Sequence, residues 1–147
     1  MQKNNYKAHY DLFIEKCRQH NLKVTPQRIS IHRAVIQLKN HPSADEIFKI
    51  VKKQFPNISF DTVNRTLLTF SQIDIIKIVE SYRVARRFDP NPVNHHHLHC
   101  TQCEKIIDFY SEDYDRLTVP EHIQQQFIVH NKRVVLSGIC KECQKRK

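Results

Sequence analysis

Two Cys-x-x-Cys pairs, Cys100-Thr-Gln-Cys103 and Cys140-Lys-Glu-Cys143, hold four of the five cysteines in the chain, with 36 residues between them. Each turn lets two thiolates face a common point, and two such turns brought together make a tetrahedral S4 cage. Zn²⁺ suits that cage because it has no ligand-field preference and binds thiolate tightly. A site closed by four protein ligands has no open position for substrate, so its expected role is structural. Two redox pairs or an iron–sulfur site are the alternatives for this spacing. Directly before the first pair runs His95-His-His-Leu-His99. On a strand, His95, His97 and His99 point one way and His96 the other. Two imidazoles on one face, joined by carboxylates, make a mixed N/O site suited to Fe²⁺, Mn²⁺ or Zn²⁺.

These ligands need a frame to hold them. Strand-like segments lead into both knuckles, His96 to His99 and Val134 to Ile139, with Gly138 at a turn. A metal clip would staple a half of the chain that is small for independent stability. The charge lies elsewhere. Residues 1–94 carry 16 Lys+Arg against 8 Asp+Glu, whereas residues 95–147 carry 8 against 7. A basic half points to a polyanion partner, because neutralising phosphates releases counterions. Between the halves, Asp89-Pro-Asn-Pro-Val-Asn94 has two prolines and no periodic pattern, and it reads as a hinge. Gly138 is the only glycine among the 147 residues, which excludes the Gly-rich phosphate loops of P-loop and Rossmann sites. No apolar run approaches the ~20 residues that span a bilayer, and the start lacks the apolar core of a signal peptide. No membrane partner is expected, and the expected compartment is the cytoplasm.

The basic half is patterned for helices. Tyr10, Phe13, Ile14 and Cys17 give a helix over residues 7–20, with Cys17 as a small core residue. Thr25-Pro-Gln-Arg28 opens a second helix, with its inward side at Ile29, Ile31, Ala34, Val35 and Leu38, and His41-Pro42 ends it. Ser43-Ala-Asp-Glu46 has capping-box spacing and opens a third helix. Another begins at Ser59 with Asp61 in its first turn and Val63, Leu67, Leu68 and Phe70 inward. Residues 75–79 and Tyr82 to Phe88 alternate enough to pair as a hairpin. Helices followed by a hairpin on a basic background make a winged-helix plan, in which the helix from Ser59 enters the major groove. Its exposed face offers Ser59, Thr62, Asn64, Arg65 and Thr69; Arg suits bidentate contact with guanine and Asn with adenine. Lys23, Arg28 and the wing residues Arg83, Arg86 and Arg87 would contact phosphates or the minor groove. The expected class is α+β: a winged-helix DNA-binding domain over 1–88, a hinge over 89–94, and a small metal-binding domain over 95–147.

In order and spacing, Thr25-Pro-Gln-Arg28, His41-Pro-Ser-Ala-Asp45, Asp61-Thr-Val-Asn-Arg-Thr-Leu67, Arg87-Phe-Asp89, the His95–Cys103 run and the second cysteine pair resemble the Fur superfamily. These are metal-dependent bacterial repressors, among them iron-sensing Fur, the PerR peroxide sensors and Zur. The resemblance implies a homodimer that binds double-stranded operator DNA, with residues 95–147 as a small α/β dimerisation domain. It also implies structural zinc on Cys100, Cys103, Cys140 and Cys143, and a regulatory Fe²⁺ or Mn²⁺ between the domains on His41, Asp89, His95, His97 and Asp108. A His3Asp2 set with Asp at 108 is most like the PerR branch, in which peroxide oxidises a ligand histidine, here His41 or His95, and repression is lifted. Iron-sensing Fur is the alternative; Zur sites usually include a cysteine. His96 and Asp115 could serve a further site, but Asn94 and Lys132 stand where histidines are common, so that site is expected to be absent or weak. The remoter rivals are a metallohydrolase, which lacks a His-Glu-x-x-His helix here, and a zinc-ribbon interaction module, which leaves His41 and Asp89 unexplained.

Overall fold

The computed structural model describes residues 2–79 and 85–146, and for residues 2–5 the backbone alone. Tyr82, the expected start of the second wing strand, and the basic Arg83 lie outside the described residues. The chain divides into two compact units, residues 1–92 and 93–147. Among the described residues, no helix is long and apolar enough to cross a membrane.

Among the described residues, the first unit holds four helices and a two-stranded antiparallel ribbon: α1 (Gln2–Gln19), α2 (Pro26–Gln37), α3 (Ala44–Gln54), α4 (Phe60–Gln72), β1 (Lys77–Val79) and β2 (Arg87–Asp89). Local chemistry sets most of these ends. Thr25 caps α2 by accepting from the Arg28 amide, with Pro26 in the first turn. Ser43 and Glu46 form a reciprocal capping box on α3. Ser59 caps α4 through the Thr62 amide, and Asp61 complements the helix dipole. α1 starts earlier than the residue 7 that its apolar stripe implied. α1 and α4 stop at left-handed residues, Asn21 (φ 52°) and Asp74 (φ 56°). Their reversals are closed by Leu22 N–H to Cys17 O at 2.8 Å and Ile75 N–H to Phe70 O at 2.9 Å. Asp89, which the sequence placed in the hinge, is the last residue of β2 and pairs with Lys77.

The core of this unit gathers Phe13, Ile31, Ile47, Leu67, Phe70 and Phe88, all fully buried. Cys17 lies among them, and burial pushes its thiol up, so it behaves as the small core residue expected. His32 was not singled out by the apolar pattern of α2, yet it is equally inside. Its ring stacks on Phe13 at 4.5 Å, meets Phe70 edge-on at 6.4 Å, and its Nδ1 has no hydrogen-bond partner among the described residues. Burial first, then repulsion from His9, pulls its pKa from 6.5 to about 3. The unfolded chain therefore takes up a proton below pH 6.5 that the folded chain refuses. Stability is complete above that pH and falls, by roughly 1.4 kcal/mol per pH unit, as the pH drops from 6.5 towards 3. Denaturant unfolding at pH 7 and pH 4.5 should give a smaller loss for His32→Leu than for the parent chain. Equal losses in both would show that His32 is not the group responsible.

The second unit is a three-stranded mixed sheet of β3 (His96–Cys100), β4 (Ile106–Phe109) and β5 (Val135–Gly138), in the order β4-β3-β5. β3 runs antiparallel to β4 and parallel to β5. Short helices α5 (Glu112–Asp115) and α6 (Glu121–Gln124) lie in the crossover, and α7 (Lys141–Gln144) follows β5. β3 and β5 match the expected strands; β4 and the three helical turns do not appear in the sequence pattern. Gly138 is a strand residue paired with Cys100, not a turn, and an added Cβ there would meet nothing within 4 Å.

Candidate metal centres

The sulfurs of Cys100, Cys103, Cys140 and Cys143 lie within 4.8 Å of one another. Two local structures aim them. After β3 the chain turns back through Glu104, left-handed at φ 59°, with Glu104 N–H bonded to Cys100 O at 3.0 Å and Cys100 N–H to Lys105 O at 2.9 Å. Cys140 is the N-cap residue of α7, and the helical turn carries Cys143 back beneath it. The register Cys100↔Gly138 then joins the knuckles, with Thr101 N–H donating to Gly138 O at 2.8 Å and Cys140 N–H to Cys100 Sγ at 3.3 Å. Ligands ~2.3 Å from one tetrahedral ion stand about 3.8 Å apart. Cys103 Sγ and Cys140 Sγ are 3.8 Å apart.

Electrostatics agrees with that fit. Backbone amides, first that of Cys103 and then that of Cys140, draw the Cys100 thiol down to about 6. The Cys140 thiol above all, and then burial, push Cys143 up to about 12. One thiolate forms readily, and further charge in the same small space is resisted unless a cation offsets it.

The strand pleat separates the histidines. His95 and His97 share a face of the second unit with Asp108, which pairs with His97 across the β3–β4 ladder. His95 Nε2 is 3.0 Å from His97 Nε2, and the two nitrogens lie 3.4 and 3.3 Å from Asp108 Oδ1. The Val93 carbonyl lies 2.6 Å from His95 Nδ1 and can only accept, so that nitrogen carries the proton. Nε2 is left with its lone pair directed at the cluster, the tautomer a metal ligand needs. His99 shares the face but is engaged elsewhere, at 2.9 Å from Glu104 Oε2.

His96 has the opposite tautomer. The Val134 amide donates to its Nδ1 at 3.1 Å, so in the neutral ring Nε2 bears the hydrogen, which reaches Asp115 Oδ1 at 3.1 Å. The Asn94 amide donates to the same carboxylate oxygen at 2.9 Å, and Lys132 Nζ donates to the Asp115 and Leu117 carbonyls at 2.7 and 2.6 Å. Asn94 and Lys132 thus join His96 and Asp115 in a hydrogen-bonded cluster.

In the first unit His41 and Asp89 are both buried, with His41 Nε2 3.8 Å from Asp89 Oδ2. Asp89 Oδ1 accepts from the Asn91 amide at 2.8 Å. On the exposed side of α4, Arg65 pairs with Asp61 at 2.9 Å, Asn64 is half-buried, and the Ser59 and Thr62 hydroxyls bond to each other at 2.8 Å. Arg28 donates to the Lys23 carbonyl and braces the turn before α2. Arg87, read as a phosphate or minor-groove contact, donates through Nε to His41 O and through Nη2 to Asn40 O at 2.8 Å. The motif Arg87-Phe-Asp89 was visible in the sequence; the carbonyls it serves lie 46 and 47 residues away in the chain.

Capped helices with a two-stranded wing, followed by a sheet that ends in a thiolate cage, define a metal-binding winged-helix protein. Residues 19–137 match the ferric uptake regulator family, and the chain belongs to that family. It is 40% identical over 134 residues to the peroxide-responsive repressor PerR of Staphylococcus aureus, covering 89% of this chain and 88% of that protein. The Campylobacter jejuni peroxide stress regulator superposes with a TM-score of 0.66 at 27% identity, over 88% of this chain and 98% of that one. The Helicobacter pylori ferric uptake regulator shares the fold, with a TM-score of 0.74 at 22% identity, over 94% and 93% of the two chains.

Proposed function

We propose that this chain is a PerR-like, metal-dependent transcriptional repressor. As a homodimer it binds operator DNA when loaded with Fe²⁺ or Mn²⁺, and it lets go when peroxide oxidises a ligand histidine. The observation that carries the reading is the His95–His97–Asp108 cluster on one sheet face, in a chain so similar to a peroxide-responsive repressor. Zn²⁺ on Cys100, Cys103, Cys140 and Cys143 holds the knuckles together and stays there through the cycle. His41 and Asp89 from the first unit complete the regulatory set with His95, His97 and Asp108. Ligands drawn from both units couple occupancy to the relative pose of the units, and so to the spacing of two α4 helices across half-sites. Asn64, Arg65 and Thr62 read base edges from α4, Arg65 exchanging Asp61 for DNA; Ser59, Lys23 and Arg28 orient the helix on phosphates.

Bound Fe²⁺ would supply the chemistry by which one oxygen atom of peroxide is placed on a ligand imidazole, the other leaving as water. The protein residues prepare for that outcome. The Val93 carbonyl holds His95 in the liganding tautomer, Asp108 sets two imidazoles on one point, and an oxidised ring can no longer fill that place. Homodimerisation has a suitable surface on the other face of the sheet, where Leu98, Ile107 and Leu136 align across the strands and Ile139 lies beside them, all exposed. The protein works in the cytoplasm, as a regulator without turnover.

Titration of zinc-loaded protein with Mn²⁺, followed by operator-DNA anisotropy, should show saturable binding that needs the second ion. Fe²⁺ loading and brief peroxide exposure should then release DNA and add one oxygen atom to His41 or His95 by mass spectrometry. Release without histidine modification, or insensitivity to peroxide, would favour iron sensing. Metal-independent DNA binding would remove the switch altogether.

A further inference from the structure

Among metal-ligand candidates in the first unit, His41 has the unusual backbone. Its φ is 52°, a left-handed conformation uncommon for a residue with a side chain, in the short connection between α2 and α3. Such a conformation is disfavoured and persists only where its surroundings over-determine it. Here β2 supplies the constraint. Phe88 N–H donates to Pro42 O at 2.9 Å, Ser43 bridges to Arg87 in antiparallel fashion, and the Arg87 guanidinium grips the His41 and Asn40 carbonyls with two different nitrogens. Two residues further along the same strand, Asp89 presents its carboxylate to the His41 ring. One three-residue strand therefore holds the backbone of one ligand at its start and carries another ligand at its end.

We propose that Arg87 is a positioning residue for the regulatory metal. Its planar fork holds the left-handed His41 turn against β2, and so presets His41 opposite Asp89 before any ion arrives. The inference rests on the regulatory site assigned above. A lysine keeps the charge but is a single point donor and cannot hold two carbonyls in a fixed plane. Loss of an outer-shell partner typically weakens metal binding ~10–100-fold, and Arg87→Lys is expected to fall in that range for Mn²⁺.

The test uses full-length zinc-loaded protein, with Mn²⁺ affinity read by electron paramagnetic resonance and DNA affinity read separately at saturating Mn²⁺. Arg87→Lys should bind Mn²⁺ more weakly, keep its zinc, and recover the DNA affinity of the parent once saturated. Arg87→Gln, which keeps one donor without charge, should shift Mn²⁺ affinity in the same direction. Unchanged Mn²⁺ affinity with weaker DNA binding at saturation, and a salt dependence shallower by about one phosphate contact, would make Arg87 a DNA contact and overturn the proposal. A drop in melting temperature with Mn²⁺ affinity intact would overturn it too, by making the role structural only. Absence of a Mn²⁺ site in the zinc-loaded parent protein would sink the regulatory assignment itself, and the proposal with it.

Discussion

Cys100→Ser is expected to strip the chain of its zinc and to unfold the unit over residues 93–147. Cys100 is the point where the strand, the first knuckle and the second knuckle meet. It ends β3 opposite Gly138, its backbone closes the turn through Lys105 and Glu104, and its sulfur accepts from the Cys140 amide. A serine hydroxyl can replace that last hydrogen bond but not a thiolate ligand, since Zn²⁺ at such a site takes deprotonated sulfur. What remains is a three-stranded sheet whose strands leave Leu98, Ile107 and Leu136 exposed, a poor core on its own. Metal binding and folding are then one equilibrium, so zinc should fall from one ion per chain to trace amounts as sheet structure and the dimer are lost together. Elemental analysis, circular dichroism and sedimentation would record this. A zinc-free variant that stayed a stable, folded dimer would count against a structural cage. The four thiols would then have to be read as redox pairs.

His95→Ala should do the opposite: keep zinc, fold and dimer, and abolish the response to the second metal. The loss of Mn²⁺-dependent DNA binding should exceed the ~10–100-fold typical of an outer-shell change, because a donor atom itself is removed. The adjacent residue provides the control. His96 stands on the other face of β3 with its Nδ1 accepting from Val134 and its Nε2 directed at Asp115, a hydrogen-bonding tautomer with no lone pair for an ion. His96→Gln should therefore leave the Mn²⁺ response near that of the parent, at some cost in stability from the lost hydrogen bonds of the buried His96 ring. DNA anisotropy against Mn²⁺ concentration for the three proteins is the measurement. A metal response retained in His95→Ala would overturn the ligand assignment, and one lost in His96→Gln would overturn the division of labour between the two faces.

Local chemistry was open to reading along the chain. Ser43 and Glu46 are three residues apart and meet within one helical turn, as do Thr25 and Arg28 or Ser59 and Thr62, so their spacing alone located three helix starts. The Cys-x-x-Cys turns belong to the same class, and the alternation of a strand was enough to part His96 from His95 and His97. The family membership followed from such motifs in order. Other features depend on partners distant in sequence. β4 has a run of only four residues, so nothing local announced that Asp108 would stand across from His97. His32 has a polar ring in an apolar pattern, and only the packing of Phe13 and Phe70 around it made it core.

The tautomers of His95 and His96 are identical prospects in a run of histidines. They were decided by which backbone group, a carbonyl of Val93 or an amide of Val134, the folded chain brought to each ring. Arg87 is the same lesson for charge. Its type suited phosphate, and the fold also brings the His41 and Asn40 carbonyls within its reach. Residue types and short spacings therefore settled which chemistry the chain can perform. The long-range register settled which of several identical side chains performs it, because hydrogen-bond partners tens of residues away cannot be read from spacing.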